Sequence, residues 1–463
     1  MSSTPSASPS GVQRTALTPF PAHPPPRSRR GRAGPAGSKQ SAVATGDTTK
    51  ERALNIDRLL ATMKEVGADA VLATSYPNVR YAGGFASATG RLYPQNSYWG
   101  LVTADDPERP HFVMPSAEIA DMVDAGIGTD RMHVYGRPIL AVADSGPGPD
   151  AGILEVEGRL HADPVSALRA LLTELGLERA AIWVDTDDGG VAWRRLREED
   201  VAARWSDGGA DILQWTRIIK TPAEVEALRK AGEISQQALT EAFAVLGTGG
   251  TDVDVELAWR QAISRRRALP TFFMAGSGDR SAVFRRPGRR RASPGERFRW
   301  DCGLVVDGYC ADTGGVVQVL AEPSPSELDH YRAVTAAVDA VLAAARPGVT
   351  ASALYTLARD TMHAAGITRF RHSHVGHGIG VEARDAPLLA PAQPWMPRFR
   401  PGERDLTLRE DMVLNVEVPF GILGEGGYQH ELTFLVVRNG IRLLTRRHPY
   451  YVAMSDHVDE IEV

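Results

Sequence analysis

The sequence predicts an α/β protein of two domains, and three observations carry that expectation. At 463 residues the chain is longer than one ordinary hydrophobic core organises. From about residue 51 to about 205, apolar residues at helical spacing alternate with short unbroken apolar runs, the pattern of helices and buried strands. A complete helix-start signal then appears at 220–224 and opens a second unit. Hydrophobic content of 43% and charged content of 24% belong to a globular protein and exclude fibrous and low-complexity classes. The formal net charge of -5 gives no general attraction to nucleic acid. Cys302 and Cys310 are the only cysteines, so no disulfide framework is expected and a reducing compartment fits. No run of about eighteen apolar residues occurs, so no membrane-spanning helix is expected and the chain reads as cytoplasmic.

Residues 1–50 are rich in Ser, Pro, Ala and Gly, with Arg27, Arg29, Arg30 and Arg32 clustered. Such a segment cannot bury enough apolar surface to offset the entropy of ordering, and a disordered tail is expected. Its Arg- and Ser-rich composition superficially matches a transit peptide, but an apolar helical face is lacking at its start. The first domain is expected over 51–207. Leu54, Leu59, Leu60, Met63 and Val66 mark a helix that Gly67 can end, and the run at 70–73 reads as a buried strand. Pro77-Asn78 is expected to begin a turn, Gly83-Gly84 a second break, and Ile182-Trp183-Val184 a later strand. This domain is expected to cover or dimerise rather than react, with 207–214 joining it to a second domain over 216–463. There, Thr221 can cap the third helical amide, Glu224 can return the bond, and Pro222 suits the first helical position.

The chemistry concentrates in the second domain. Asp307-Gly308 between apolar runs signals a two-residue hairpin turn. That turn sets Val306 opposite Tyr309 and Gly303 opposite Asp312, so Asp301 and Asp312 share one face as diagonal neighbours. Two acids so placed either hold a cation or lie on a solvated face, and the hairpin alone leaves both open. Downstream, Val375-Gly376-His377-Gly378-Ile379-Gly380 sets an imidazole among glycines, where backbone can approach closely. Glu417 and Glu431, fourteen residues apart, each interrupt an apolar strand, and a lone buried glutamate is rarely tolerated unless paired or coordinated. Four carboxylates and one imidazole suit a pair of divalent ions such as manganese, iron, cobalt or zinc. The absence of thiolates argues against a structural zinc site. Cys310 falls on the face of Asp312, where a small core thiol is the expected role.

These residues resemble the pita-bread metallopeptidases, a family that includes methionine aminopeptidase, aminopeptidase P, prolidase and the creatinase-like enzymes. The eleven-residue spacing of the two aspartates, the Gly-His-Gly-Ile-Gly run and the two strand glutamates carry the resemblance. The 220–224 helix start and the Asn78-Val79-Arg80-Tyr81-Ala82-Gly83-Gly84-Phe85 stretch extend it over about residues 52–455. It implies an α/β (α+β) fold: an N-terminal creatinase-like α/β domain, then a C-terminal pita-bread catalytic domain with duplicated halves and metals on a concave sheet. It also implies metal ligation by Asp301, Asp312, His377, Glu417 and Glu431. Asp301 would chelate one ion, Asp312 and Glu431 would bridge, and His377 and Glu417 would complete the other. A bridging water is the implied nucleophile, with Glu417 its proton acceptor. Manganese is the first expectation for the two ions, and a homodimer is the common assembly.

The second layer of residues departs from the peptidase pattern. Arg285 and Arg384 stand where two substrate-contacting histidines are expected, Gln429 replaces an arginine, and Leu432 replaces an aspartate. Gly314-Gly315 replaces the usual Thr-Arg. An arginine can stabilise an oxyanion or hold a carboxylate, but it does not shuttle protons near neutral pH. Two readings fit: a dipeptidase or Xaa-Pro aminopeptidase acting on a small peptide, or a non-peptidase relative acting on a small anionic metabolite. Arg285, Arg384 and Gln429 are the expected substrate-binding residues, His374 the candidate acid–base group, and His430 a weaker one. The third class is a binding module, prompted by the basic runs 265–267 and 289–291. Modules of that kind usually lose the metal ligands, and here five remain, so solvated basic faces are expected instead.

Overall fold

In the computed structural model the described residues are 54–461, except 88, 91, 94–96, 147, 186–190, 199–203, 392–404 and 448, so the expected tail at 1–50 lies outside them. The first half runs α1 (Ile56–Val66), β1 (Ala70–Ala73), α2 (Tyr76–Gly83), β2 (Trp99–Thr103), β3 (His111–Pro115), α3 (Ile119–Asp124) and β4 (Met132–Tyr135). It continues α4 (Ala151–Glu157), α5 (Pro164–Glu174), β5 (Ala181–Val184), α6 (Val191–Glu198), β6 (Arg204–Ser206) and α7 (Gly209–Arg217). Its six strands form one mixed sheet in the order β4-β3-β2-β1-β5-β6. The central strand is buried along its whole length because both faces are covered. Val71 and Ala73 enter the core with Leu59, Met63 and Phe112, while Ala70 and Leu72 face Val165, Leu168 and Leu171 of α5.

Two local expectations change here. Pro77 begins no turn but occupies the first turn of α2, where its missing N–H costs nothing, and Gly84 in the left-handed region ends that helix. The stretch expected to join the two domains is itself the buried helix α7. Ile212 and Leu213 pack in the first sheet's core while Trp215 packs in a core of the second half, and residues 51–463 form one compact unit.

The second half is built twice over. α8 (Pro222–Gly247) and α9 (Asp252–Arg265) lead into β7 (Leu269–Ser277), β8 (Arg297–Val306) and β9 (Tyr309–Val319). α10 (Pro325–Ala344) and α11 (Ala351–Ala364) lead into β10 (Gly376–Gly378), β11 (Asp385–Leu388), β12 (Val413–Glu417), β13 (Phe420–Ile422), β14 (Gly426–Tyr428), β15 (Glu431–Val437) and β16 (Gly440–Leu443). β17 (Tyr450–Ala453) and β18 (Val458–Ile461) close the chain. α8 and α10 open alike, with Thr221 and Ser324 as N-caps, Pro at the first position and Glu224 or Glu327 returning the bond. Two five-stranded sheets result, β18-β17-β9-β8-β7 and β11-β10-β12-β15-β16, with β9 lying against β15. Each buries one face under its own helix pair: Phe298, Trp300, Cys302 and Leu304 under α8 and α9, and Leu414, Val416, Leu432 and Phe434 under α10 and α11. Period-two alternation then commits Asp301, Glu417 and Glu431 to other faces than these apolar sets.

Thr221→Ala removes the side-chain half of the α8 capping box, leaving Glu224 to accept from the backbone amide of residue 221, and is expected to cost about 1 kcal/mol. A lowered denaturation midpoint with unchanged slope checks this; an unmoved midpoint contradicts it.

Candidate metal centre

The β8–β9 hairpin turns through Asp307 and Gly308, both in the left-handed region at φ 47° and 79°. That geometry suits a two-residue turn and yields the expected register, with Val306 opposite Tyr309 and Gly303 opposite Asp312. Asp301 therefore faces Gly314, and each aspartate has a glycine as its cross-strand partner. Gly314 is required by space: a Cβ there would collide with Gln429 Nε2 and Glu431 Oε2. On the other sheet His377 lies opposite Asn415, and Glu417 lies directly opposite Glu431. Like charges directly opposite are destabilising unless something positive holds them.

These two sheets bring the five predicted residues together. Carboxylate oxygens of Asp301, Asp312 and Glu431 lie within 4.8 Å of one another, all buried. His377 Nε2 is 3.7 Å from Asp312 Oδ2 and 3.8 Å from Glu417 Oε1. His377 Nδ1 donates to its neighbour's carbonyl, Gly378 O, at 2.9 Å, which leaves the Nε2 lone pair aimed at the carboxylates. Gln429 Nε2 donates to Asp301 Oδ2 at 3.1 Å and to Glu431 Oε2 at 3.2 Å. Asn415 Nδ2 donates to Glu431 Oε1 at 2.5 Å. The buried Asp312 Oδ1 has no hydrogen-bond partner among the described residues.

The electrostatics show what such a cluster costs by itself. Burial, then repulsion by Glu417, raises the Asp301 carboxyl to about 7. Burial and the neighbouring acids push Asp312 and Glu431 well above the usual carboxylate range. Burial would also raise Glu417, but the His374 hydrogen bond and the charges of His377, His374 and His372 bring it down to about 2. Burial lowers His377, which favours the neutral imidazole that a metal ligand requires. An oxygen-and-nitrogen donor set, a partnerless buried carboxylate oxygen and a glycine-made cradle fit divalent cations.

The auxiliary residues divide. His374 Nε2 lies 3.0 Å from Glu417 Oε1 and 3.4 Å from Arg384 Nη2. One nitrogen cannot donate to the carboxylate and accept from the guanidinium at once, so the shorter contact fixes Nε2–H on Glu417. Nδ1, 3.0 Å from Ser373 Oγ, is then the acceptor. Arg384 precedes Asp385, which is fully enclosed and held by Arg217 Nε at 2.8 Å and Lys220 Nζ at 3.4 Å. Arg217 also reaches Asn78 and Glu382, and Asn78 Nδ2 donates to Asp185 at 2.8 Å. One buried network thus ties the first sheet to the rim of the centre. His430 points the other way, with Nδ1 3.1 Å from the Tyr331 hydroxyl, and burial lowers it to about 4; it is a core histidine. Cys310 packs with Val225, Leu228 and Ile379 outside the cluster. Within the basic runs, Arg265 and Arg266 are engaged by Glu241 and Arg290 by Glu296. The sequence reading missed Arg299, on β8 two residues before Asp301, buried against the Phe284 ring at 4.3 Å.

Buried carboxylates and an imidazole converging between two sheets make a centre suited to divalent metal ions. Residues 226–438 match Metallopeptidase family M24, and residues 55–182 match the Creatinase/Prolidase N-terminal domain. An Xaa-Pro dipeptidase of Lactobacillus delbrueckii subsp. lactis is 24% identical over 399 residues, spanning 85% of this chain and 96% of the relative. A putative dipeptidase of Bacillus subtilis is 23% identical, spanning 84% and 97%. The solved prolidase from Pyrococcus horikoshii shares the fold, with a TM-score of 0.65 at 21% identity across 85% of this chain and 98% of that one. The chain belongs to metallopeptidase family M24, with the pita-bread catalytic fold behind a creatinase-type N-terminal half. It is a metallohydrolase, and its family works with divalent metal ions.

The raised carboxyls give the metal-free protein a definite pH dependence. In the folded chain Asp301, Asp312 and Glu431 hold protons that the unfolded chain releases near pH 4, so stability is lost as pH rises from about 4 through about 7. Glu417 runs oppositely, and its contribution is lost only as pH falls toward about 2. Chelated protein is therefore expected to melt lower at pH 8 than at pH 6, with added divalent metal raising the melting temperature more at pH 8. Thermal melts at the two pH values check this; an equal metal effect at both contradicts it.

Proposed function

We propose that this chain is a dipeptidase cleaving the amide bond of small Xaa-Pro peptides. The observation that carries the reading is the convergence of Asp301, Asp312, His377, Glu417 and Glu431 in a chain aligned nearly end to end with an Xaa-Pro dipeptidase. The relatives support a peptide substrate rather than the anionic metabolite. In this reading the five residues hold two divalent ions, manganese first, with cobalt, iron or zinc accepted by the same donors. The ions, when bound, supply a water of depressed pKa as nucleophile. Residues 51–207 and 216–463 then act as covering and catalytic domains of a cytoplasmic homodimer. The dimer and its location rest on the family resemblance and the absence of any helix among the described residues long and apolar enough to cross a membrane.

The chain's own groups divide the remaining work. Glu417 holds Oε1 against His374 Nε2 and keeps Oε2 for the incoming proton. His374 fixes that carboxylate through Nε2–H, so the pair is placed to pass a proton from the attacked side to the leaving amine. Arg384, next to His374, supplies a fixed positive charge toward the carbonyl oxygen in place of a histidine. Gln429 keeps Asp301 and Glu431 oriented through both its donors.

Hydrolysis of Gly-Pro by protein loaded with manganese is the direct test. Asp312→Asn is expected to abolish turnover, and His374→Ala to lower kcat about 10²–10⁴-fold. A parent protein inactive on Gly-Pro and on Xaa-Pro-Xaa peptides with every one of the four metals would overturn the reading.

A further inference from the structure

Far from the metal centre, the first sheet gathers three imidazoles on one face. Val113 of β3 lies opposite His133 of β4 in parallel register. His111, two residues before Val113, therefore shares that face and is a diagonal neighbour of His133. Phe112 and Met114 turn into the other core, while Val113 packs in the core that α5 covers. Glu174, the last residue of α5, reaches the same corner, with Oε2 4.0 Å from His133 Nε2. His161, bridged to Tyr135 beside β4, adds a third ring 6.5 Å from that of His133.

Two of these rings lack the partners that a core histidine normally finds. His133 is 7% exposed, and its Nε2 is buried with no hydrogen-bond partner among the described residues. Nδ1 of His111 is buried and partnerless in the same way. Two such nitrogens side by side call for something that satisfies both. Protonation is not that answer, because burial, then His111 and His161, lower His133 to about 4, and burial lowers His111. Neutral imidazoles beside a carboxylate are metal donors. The His111 and His133 ring centroids stand 5.9 Å apart, and two imidazoles on one tetrahedral zinc stand about 5–6 Å apart. His161, at 6.5 Å, lies beyond that span. A nitrogen and a carboxylate oxygen on one zinc are about 3.3 Å apart, so the 60% exposed Glu174 side chain has only a small gap to close. The C-terminal end of α5 adds the negative end of its dipole. Among the surrounding charges Glu174 and Asp130 favour a cation here, while Arg131, Arg109 and Arg159 oppose it. Arg109 is paired with Asp130 at 2.6 Å and Arg159 with Glu155 at 3.4 Å, which blunts that opposition.

We propose that His111, His133 and Glu174 bind one divalent ion of the zinc class, separate from the five-ligand centre, with a water as fourth ligand. Imidazole donors select such borderline ions over manganese, calcium or magnesium. The ion pins β4, the edge strand of the first sheet, together with β3 to the end of α5. Its work is to hold the covering half together, and it does not depend on the dipeptidase reading.

The test equilibrates the full-length, manganese-loaded protein with zinc, removes unbound metal and measures total divalent metal per chain. The parent is expected to hold one equivalent more than His133→Ala, and Glu174→Gln to bind that equivalent at least about 10-fold more weakly. Zinc is expected to raise the melting temperature of the parent more than that of Glu174→Gln, with Gly-Pro hydrolysis alike in both. Glu174 lies at the surface, so Glu174→Gln reports even where His133→Ala fails to fold. Equal metal content and an equal zinc-induced shift in the parent and Glu174→Gln overturn the inference. An equivalent lost in Glu174→Gln but kept in Asp312→Asn supports this site, whatever the five-ligand centre holds.

Discussion

Four carboxylates inside one protein interior are the constraint on which the rest of this structure depends. Asp301, Asp312, Glu417 and Glu431 are buried together, and burial with mutual repulsion drives three of them toward the protonated form. A fold that keeps such a set needs rigid walls, a compensating charge and groups that stop the acids from turning outward. The walls are the two five-stranded sheets, each anchored by a dry face under two helices. Gln429 and Asn415 orient the acids without adding charge, since an amide donates to a carboxylate and leaves its negative charge available. Gly303 and Gly314 keep the opposing positions open.

The first half contributes through a buried polar chain rather than through the reacting groups. Asp185 at the end of β5 holds Asn78, Asn78 meets Arg217 of α7, and Arg217 with Lys220 grips Asp385 beside Arg384. Losing one partner of such a pair leaves an uncompensated buried charge, a penalty of about 3–5 kcal/mol. The covering sheet and the rim of the centre are therefore coupled, which accounts for α7 being a packed helix where a loose connection was expected. A flexible linker could not hold Arg217 at 3% exposure against Asp385.

Much of the centre was legible in the sequence because its signals are local. Asp307-Gly308 fixes the hairpin register, and register alone puts Asp301 and Asp312 on one face. Glu417 and Glu431 announce themselves as single acids inside apolar strands. What escaped needed either three dimensions or closer attention to alternation. Arg297, Arg299 and Asp301 alternate with Phe298, Trp300 and Cys302, a period-two pattern that already marks Arg299 as facing the centre. The paired openings at Thr221-Pro222-Ala223-Glu224 and Ser324-Pro325-Ser326-Glu327 display the duplication in plain sequence. Spacing does not reveal that His374 rather than His430 meets Glu417, because both lie in connecting segments just before a strand, where side-chain direction follows no period. The helical fate of Pro77 turned on its place in a first helical turn and on a left-handed Gly84, signals equally compatible with a turn.

The central claim is that cations hold these acids, and metal content tests it most directly. Protein purified without chelators, from cells supplied with manganese, is weighed for manganese, iron, cobalt and zinc by elemental analysis against protein concentration. The account predicts close to two equivalents of divalent metal per chain, falling in Asp312→Asn. A wild-type chain that remains folded with no bound metal, and takes none up on titration, would contradict it.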